Sequence, residues 1–450
     1  MNRSTNRLLL FTLIGVFLLW NRSGFALELF KDDSRQLNAD ISAGIGAFHS
    51  DESYGLRDSE GSVNWEEGFY SLGLSGSVAF DANGEIYSAV SYMGTGVGGD
   101  GDAARYTTGS ENRNELENAY LGWRSGDLFP SLGKNGVEVS GGRQVYAIGS
   151  GFLVQGDAVN FGKGFDDFED AGLIPDSLNR GGAYYMAPRL AFDETAILKL
   201  GQQQWRGEFF WFKSDNKAQA KTEMAGTYLS YVNEHYGTVG VTWLHGLSVD
   251  DDYAEFLGYL DRDGMDTYSI NYAGSAGIDN LSLSSELVGQ EGGDEGDEYA
   301  WYADAGWHFS DAAWQPGVGI RYSSFSDYFD PLFYGFSSGY GTWFQGEVAG
   351  NYAGPFNSNA NVWHLYLSAQ PLKSLTLGAL YFHFDSRKNS LGDLSGDEID
   401  LYANWTINEH FTFSPLVGFY TPDKSADDGG PQVGNNDTNV YAQATLTFSY

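Results

Sequence analysis

The chain has 450 residues and a formal net charge of −35 at pH 7, from 60 acidic residues against 25 lysines and arginines. This acidic excess argues against nucleic acid as a partner, because phosphate binding depends on clustered lysine and arginine. The absence of cysteine excludes a disulfide-stapled secreted domain, and the 60 glycines with 16% aromatic residues suit many short strands better than helices.

The N-terminus has the layout of a secretory signal. A basic start precedes an apolar run over 8–20, and Gly24-Phe25-Ala26 offers the small residues that a signal peptidase needs. We therefore assign 1–26 to a signal peptide and 27–450 to a single mature domain. The signal contains three arginines and no acid, so the mature charge becomes −38, from 22 basic and 60 acidic residues. No later segment approaches the ~20 apolar residues of a membrane-spanning helix.

Period-two alternation recurs in segments of about ten residues, the length that a tilted strand needs to cross a membrane. Over 299–309 the odd-numbered residues are aromatic or alanine, whereas Asp304 and His308 lie among the even-numbered ones. One face therefore suits lipid and the other suits water. Nineteen segments are candidate strands: 37–48, 68–80, 84–94, 114–124, 135–147, 193–200, 204–213, 223–233, 236–246, 264–274, 279–289, 298–309, 314–325, 342–353, 361–370, 375–384, 398–407, 411–420 and 439–450.

The connections differ sharply in length, which separates a membrane barrel from a soluble sandwich with evenly spaced strands. Short turns at 81–84, 371–374 and 408–410 alternate with long acidic stretches at 94–113, 246–263, 385–397 and 421–437. The sequence thus predicts an all-β protein: a transmembrane, antiparallel, up-and-down β-barrel of about 18 strands, with long extracellular loops and short periplasmic turns, in the outer membrane of a Gram-negative bacterium.

The number of candidate strands is odd, whereas a single-chain bacterial barrel has an even number. Either one assignment is wrong, or a short strand lies unrecognised near 329–336. The last candidate has an apolar face that ends in an aromatic residue, which looks like the C-terminal signal of the barrel-assembly machinery. That face consists of Val440, Ala442, Ala444, Leu446, Phe448 and Tyr450.

Two groups of short stretches resemble the alginate-export family of outer-membrane proteins. The first comprises 142–144 (GRQ), 148–153 (IGSGFL), 180–185 (RGGAYY) and 187–192 (APRLAF), and the second comprises 329–336 (FDPLFYGF) and 341–347 (GTWFQGE). The resemblance implies a monomeric barrel of about eighteen strands, narrowed by loops, that passes an anionic polysaccharide outward. It also implies a pore lined by arginine and lysine, because guanidinium groups bind carboxylates in a bidentate manner.

The candidate residues of the solute path are Arg143, Arg189, Arg206, Arg321 and Trp343. The first two fall in the matching stretches, the next two lie on predicted strands, and the tryptophan belongs to an aromatic loop that either contacts sugars or packs against the wall. The loop over 148–189 is expected to constrict the lumen. If acidic residues line the pore, alginate is the wrong solute.

No catalytic constellation, cofactor site or metal-ligand spacing stands out, so we expect no enzyme activity, no cofactor and no metal centre. Three functions remain open: passage of an anionic or neutral saccharide, uptake of small solutes as a porin, and a structural or adhesive barrel with acidic, ion-binding loops. The expected partners are the saccharide, the barrel-assembly machinery and lipopolysaccharide, the last bound directly or through divalent cations.

Overall fold

Nineteen antiparallel strands form one sheet in the computed structural model, which describes residues 26–80, 84–293, 296–335, 345–354 and 356–450. Trp343 and all of the assigned signal peptide except its last residue lie outside these ranges. The strands are β1 (Leu27–Lys31), β2 (Arg35–Ser50), β3 (Val63–Ala79), β4 (Glu85–Gly99), β5 (Asn112–Arg124), β6 (Val137–Arg143), β7 (Glu194–Gln202), β8 (Trp205–Lys213), β9 (Glu223–Asn233), β10 (Gly237–Ser248), β11 (Asp266–Gly274), β12 (Leu281–Glu291), β13 (Glu298–His308), β14 (Gly317–Phe325), β15 (Ala360–Leu372), β16 (Leu375–Ser386), β17 (Gly396–Thr406), β18 (Phe411–Pro422) and β19 (Asn439–Ser449).

In the part of the chain that the structure describes, the helices are short and lie between the strands. The α-helices are α1 (Asp166–Asp170) and α2 (Asp251–Leu257), and a π-helical turn covers Ala349–Ala353. Single 3-10 turns lie at Pro130–Leu132, Lys163–Phe165, Lys217–Gln219, Leu260–Arg262, Asn389–Leu391 and Ala426–Asp428. No helix in the described ranges is long and apolar enough to cross a membrane.

Strands β2 to β19 close into an 18-stranded barrel. Each pairs with its neighbours in chain order, and β19 returns to β2 in a register that runs from Tyr441 opposite Ser50 to Ser449 opposite Ser42. Closure leaves no free edge, which is what a β-structure needs where no water can satisfy backbone N–H and C=O groups.

The extra strand, β1, completes the barrel seam. It pairs with β2 beyond the end of β19, with Leu27 opposite Ala39, while Tyr450 exchanges two backbone hydrogen bonds with Ile41 (2.8 and 3.1 Å). Both β1 and β19 run antiparallel to β2, so β1 continues the line of β19. The two segments lie end to end along most of the 16-residue β2, which is why nineteen strands make an eighteen-stranded barrel.

The two faces of the wall are as the alternation predicted. On β13 the rings of Tyr299 and Trp307 are exposed on the outside, whereas Tyr302 and Asp304 are buried inside. The connections after β3, β7, β9 and β15 are short turns at one end of the barrel, and the long loops leave from the other. An apolar outer surface on a closed barrel with this loop asymmetry is the architecture of an outer-membrane protein.

One predicted strand is wrong and one strand was missed. The segment 342–353 is not a strand in its described part: residues 345–354 are all buried inside the barrel and include the π-helical turn. The alternation of polar and apolar residues in this segment led to a wrong strand prediction, because its polar residues face protein instead of water. No strand occurs within 329–335 either, where Phe333 makes a single bridge to Val154. The missed strand is β1, which is too short to show a pattern.

Candidate functional site

The long connection between β6 and β7, residues 144–193, crosses the barrel lumen; we call it the crossing segment. Near its start the Ser150 hydroxyl donates to Glu286 on β12 (3.1 Å), and near its end the Ala183 amide donates to the hydroxyl of Thr95 on β4 (2.6 Å). Strands β4 and β12 lie eight places apart in a ring of eighteen, on opposite walls. The segment therefore spans the lumen, as the length of the loop had suggested.

Wall carboxylates hold this segment by its backbone. Glu67 on β3 accepts the amide of Met186 (2.7 Å), and Glu117 on β5 accepts the amides of Leu190 (2.7 Å) and Ala191 (2.8 Å). All of these groups are buried. A carboxylate that accepts backbone N–H groups is stabilised without a cation, because charge-assisted hydrogen bonds are about twice as strong as neutral ones.

A second piece of chain, residues 345–354, also lies inside the barrel; we call it the inner segment. Glu398 on β17 accepts the amides of Val348 (2.7 Å) and Ala349 (2.9 Å). The crossing and inner segments touch where the hydroxyl of Tyr184 donates to the carbonyl oxygen of Asn351 (2.9 Å). The lumen is thus narrowed by two segments fastened to the wall.

Three guanidinium groups converge on one carboxylate at the loop end of this narrowed region. Arg189 donates to both oxygens of Asp215 (2.8 and 3.0 Å), Arg143 contacts one oxygen (3.2 Å) and Arg180 contacts the other (3.3 Å). The arginine side chains are buried, whereas that of Asp215 is 39% exposed. Burial raises the pKa of this loop carboxyl, but Arg189, Arg180 and Arg143 lower it more, so that the pKa lies well below its usual range.

Further acids compensate the same arginines. Asp193 pairs with Arg143, Glu115 pairs with Arg189, and Asp157 lies 3.3 Å from Arg180. Four carboxylates, with Asp215 included, thus face three guanidinium groups. The cluster carries no excess positive charge.

A glycine turns Arg143 into the barrel. Along β6 the exposed Val139 and the buried Ser140 set an alternation that would place residue 143 outside. Gly142 breaks it with φ +119°, and a side chain there would meet the carbonyl oxygen of Ala119 at 2.5 Å. Only glycine adopts this conformation without strain.

The other predicted path residues do not join this cluster. Arg206 is exposed at the short-turn rim, where its guanidinium donates to the carbonyl oxygens of Gln203 (2.7 Å) and Trp205 (2.8 Å). Arg321 points inward, as predicted, but it is fully buried within the wall opposite Asp304 on β13. Of the predicted residues, the structure therefore brings together Arg143 and Arg189, and adds Arg180 and Asp215. The first of these additions lay in a family-like stretch, whereas Asp215 gave no sequence signal.

A cavity of about 690 Å³ opens between the long loops, and aromatic and aliphatic side chains form most of its described lining. Asp261, Glu298, Asp327 and Asp330 also line it, whereas no lysine, arginine or histidine does among the residues that the structure describes. Nor do the described ranges contain a group of three metal-binding side chains. The aromatic lining comprises Tyr106, Phe161, Phe165, Tyr184, Tyr185, Tyr259, Tyr328, Phe329, Tyr334 and Phe356.

Solved structures share this architecture over nearly the whole chain. OccK5 (OpdH) of Pseudomonas aeruginosa superposes with a TM-score of 0.56 at 9% identity, over 92% of this chain and 98% of its own. OccAB4 of Acinetobacter baumannii gives 0.54 at 11% identity, over 92% and 98%. OccK11 (OpdR) of P. aeruginosa gives 0.53 at 12% identity, over 91% and 95%. The closed β-barrel described above is thus the fold of these proteins as well.

Sequence comparison adds no family to this fold. No protein-family model matches the chain, and no curated protein matches it. The resemblance to the alginate-export family is therefore not confirmed beyond the barrel itself. At 9 to 12% identity the structural likeness concerns the fold alone.

Proposed function

We propose that the protein is an outer-membrane channel for a small neutral solute with apolar ring faces, such as an oligosaccharide, which binds in the aromatic cavity. The observation that carries this proposal is the cavity lining of ten aromatic and four acidic side chains, without a basic residue among those described. The flat faces of sugar rings stack on aromatic rings. The lining has acidic but no basic side chains among those described, which disfavours a polyanion, although Arg262 and Arg387 pair with Asp330 and Asp327 from outside it.

The volume of the cavity limits the size of the solute. About 690 Å³ lies within the range of pockets that hold small molecules and excludes a polymer coil. A single extended saccharide chain would have to pass between the crossing and inner segments. Selectivity for a short solute follows from this narrowing, whatever the direction of transport.

Block of ionic current tests the proposal. Neutral oligosaccharides should interrupt single-channel current through the purified barrel, and Tyr184→Ala should shorten each block, because Tyr184 lines the cavity. Loss of one stacking ring should raise the dissociation rate about fivefold, given ~1 kcal/mol for an aromatic contact. Tyr231→Ala is the matched control, because this ring is exposed on the outer face. Equal block by neutral sugars in both variants, or no block at all, would contradict the proposal.

A second candidate is passage of an anionic polysaccharide, which the alginate-export resemblance implies. The cluster of Arg143, Arg180 and Arg189 supports it, because such a group can bind a uronate carboxylate. The four carboxylates around these arginines weaken the support. Uronate oligomers should therefore block the current less than neutral oligomers of equal length, and stronger uronate block would favour the second candidate.

A further inference from the structure

Three carboxyl groups meet where the inner segment seats against the wall: Glu347, Glu398 and Asp400, which we call the carboxyl triad. Glu398 and Asp400 lie two residues apart on β17 and face inward, and all three side chains are fully buried. Glu398 holds the amides of Val348 and Ala349 at 2.7 and 2.9 Å. The triad is therefore the attachment of the inner segment to the barrel.

Among the residues that the structure describes, no basic side chain is recorded as compensating the triad. Tyr54, Glu67, Tyr185, Tyr420, Tyr441 and Gln443 face it or its nearest partners. None of these is a lysine, an arginine or a histidine. Three unpaired carboxylates in a buried site cannot all be ionised, because the desolvation cost and the mutual repulsion are each several kcal/mol.

Two contacts indicate where protons are held. The side chains of Glu398 and Asp400 are hydrogen-bonded to each other, and two carboxyl groups form such a bond only when one of them carries a proton. The carboxyl group of Glu347 faces only neutral donors, the Tyr185 hydroxyl and the Gln443 amide, among its described side-chain partners, and these offset its burial only in part.

We propose that the carboxyl triad is a proton-dependent latch: protonated, it holds the inner segment in the lumen, and on losing its protons it releases the segment and widens the passage. This inference deepens the proposed function. It rests on that function only where it links the position of the inner segment to the flow of solute. The pH dependence of the seating rests on the triad and not on the proposed function.

The direction of the pH effect follows from Glu347. Burial raises the pKa of this carboxyl from 4.5 to about 8, and the neighbouring Glu398 adds to the increase, while Tyr185 and Gln443 oppose it. The seated state thus binds the proton more tightly than the released state. Seating is fully favoured below pH 4.5 and weakens as the pH rises to about 8. Within this window one group changes the seating equilibrium by up to about tenfold per pH unit.

Accessibility of the inner segment tests the latch. The chain has no cysteine, so Ala353→Cys on the buried inner segment and Asn436→Cys on an exposed loop each carry one thiol. Labelling by a polar maleimide, measured on the folded barrel and expressed as the ratio of the two rates, cancels the pH dependence of the thiol. The ratio should rise between pH 5 and pH 8, by at most about tenfold per pH unit and less steeply near pH 8. Glu347→Gln should remove most of this rise.

Glu66→Gln is the matched control, because Glu66 lies next to Glu67 on β3 but faces outward; its ratio should rise as in the parent protein. Glu398→Gln serves as a second latch variant if Glu347→Gln does not give a heat-modifiable barrel. The latch would be overturned by a labelling ratio that does not change with pH in the parent protein. It would also be overturned if the ratio rose in both latch variants as much as in the parent protein. A barrel that shows the labelling behaviour but no solute block would contradict the proposed function and leave the latch standing.

Discussion

At the scale of single residues, the acids of this very acidic chain have two different uses. Many lie in outer loops, but Glu67, Glu117 and Glu398 line the lumen, where each accepts one or two backbone amides. The sequence raised the question of whether acids line the pore, and it could not answer it. Inward-facing carboxylates look the same in a sequence whether they meet water or the amide of a distant loop.

The removal of Arg262 should destabilise the barrel. Its guanidinium is fully buried, donates to both oxygens of Asp330 (2.6 and 2.8 Å) and stacks 3.6 Å from the ring centre of Tyr259. Arg262→Ala leaves a largely buried carboxylate without its partner, which costs about 3 kcal/mol in the free energy of unfolding. Urea titration of the folded fraction measures this loss. Arg113→Ala, which removes a more exposed ion pair with Glu115, should cost less than about 1 kcal/mol; equal losses would contradict the argument.

Neutralising Asp215 should shift ion selectivity toward anions. Asp215→Asn leaves Arg143, Arg180 and Arg189 with one counter-charge fewer in a confined space, where a nearby charge outweighs distant screened ones. Because the pKa of this carboxyl lies well below its usual range, the parent protein should keep its selectivity down to pH 4, the charge being lost only at lower pH. Reversal potentials in a salt gradient measure both effects. Asp437→Asn in an exposed loop should leave them unchanged, and an unaltered reversal potential in Asp215→Asn would place the cluster outside the ion path.

At the scale of elements, the strands could be predicted and the lumen segments could not. Two-faced strands between lipid and water must alternate, so all eighteen barrel strands overlap a predicted segment. The inner segment has no face that contacts water. Its polar and apolar residues alternate without forming a strand, and this alternation led to the one wrong strand prediction, 342–353. Arg143 was a candidate for the solute path only because it lies in a family-like stretch, since alternation alone would have placed it outside; the turn at Gly142 was not predicted.

Two changes to the crossing segment should differ in their effect on conductance. Its tip, which includes α1, is largely exposed, whereas its two limbs are buried and anchored to the wall. Deletion of 167–173 should therefore change single-channel conductance little, whereas Glu117→Ala, which frees the amides of Leu190 and Ala191, should raise it. A large increase from the tip deletion with none from Glu117→Ala would place the constriction at the tip. The expectation that the loop over 148–189 constricts the lumen thus becomes a prediction about its buried limbs.

At the scale of the whole molecule, composition, charge and connection lengths were sufficient for the closed barrel, because few other folds accommodate so many alternating strands without a core-forming helix. The solute could not be predicted from the sequence, because solute selectivity depends on segments that meet only after the barrel closes. Arg180, Asp215 and the cavity rings come from loops far apart in the chain. Contacts between such distant residues leave no periodic pattern in the sequence from which they could be predicted.

Removal of the last three residues should impair barrel assembly. Tyr450 forms two backbone hydrogen bonds with Ile41, and Phe448 pairs with Ala43 and packs on Phe411 at 5.2 Å between ring centres. Deletion of 448–450 opens the seam at the strand that closes the barrel. The heat-modifiable fraction in outer membranes should fall severalfold, whereas deletion of the exposed loop residues 434–436 should leave it intact. Normal levels of the truncated barrel would refute the seam as the critical contact.

The end-to-end alignment of β1 and β19 has a consequence for the connectivity of the chain. Tyr450 lies opposite Ile41 and Leu27 lies opposite Ala39, so a single residue opposite Asp40 would join the two ends into one uninterrupted strand. The predicted mature chain, residues 27–450, would in this sense be a ring cut at one point. A circular permutant, joined by that residue and opened instead within the exposed loop 434–438, should refold in detergent to the same heat-modifiable barrel, with its former ends sealed inside the wall.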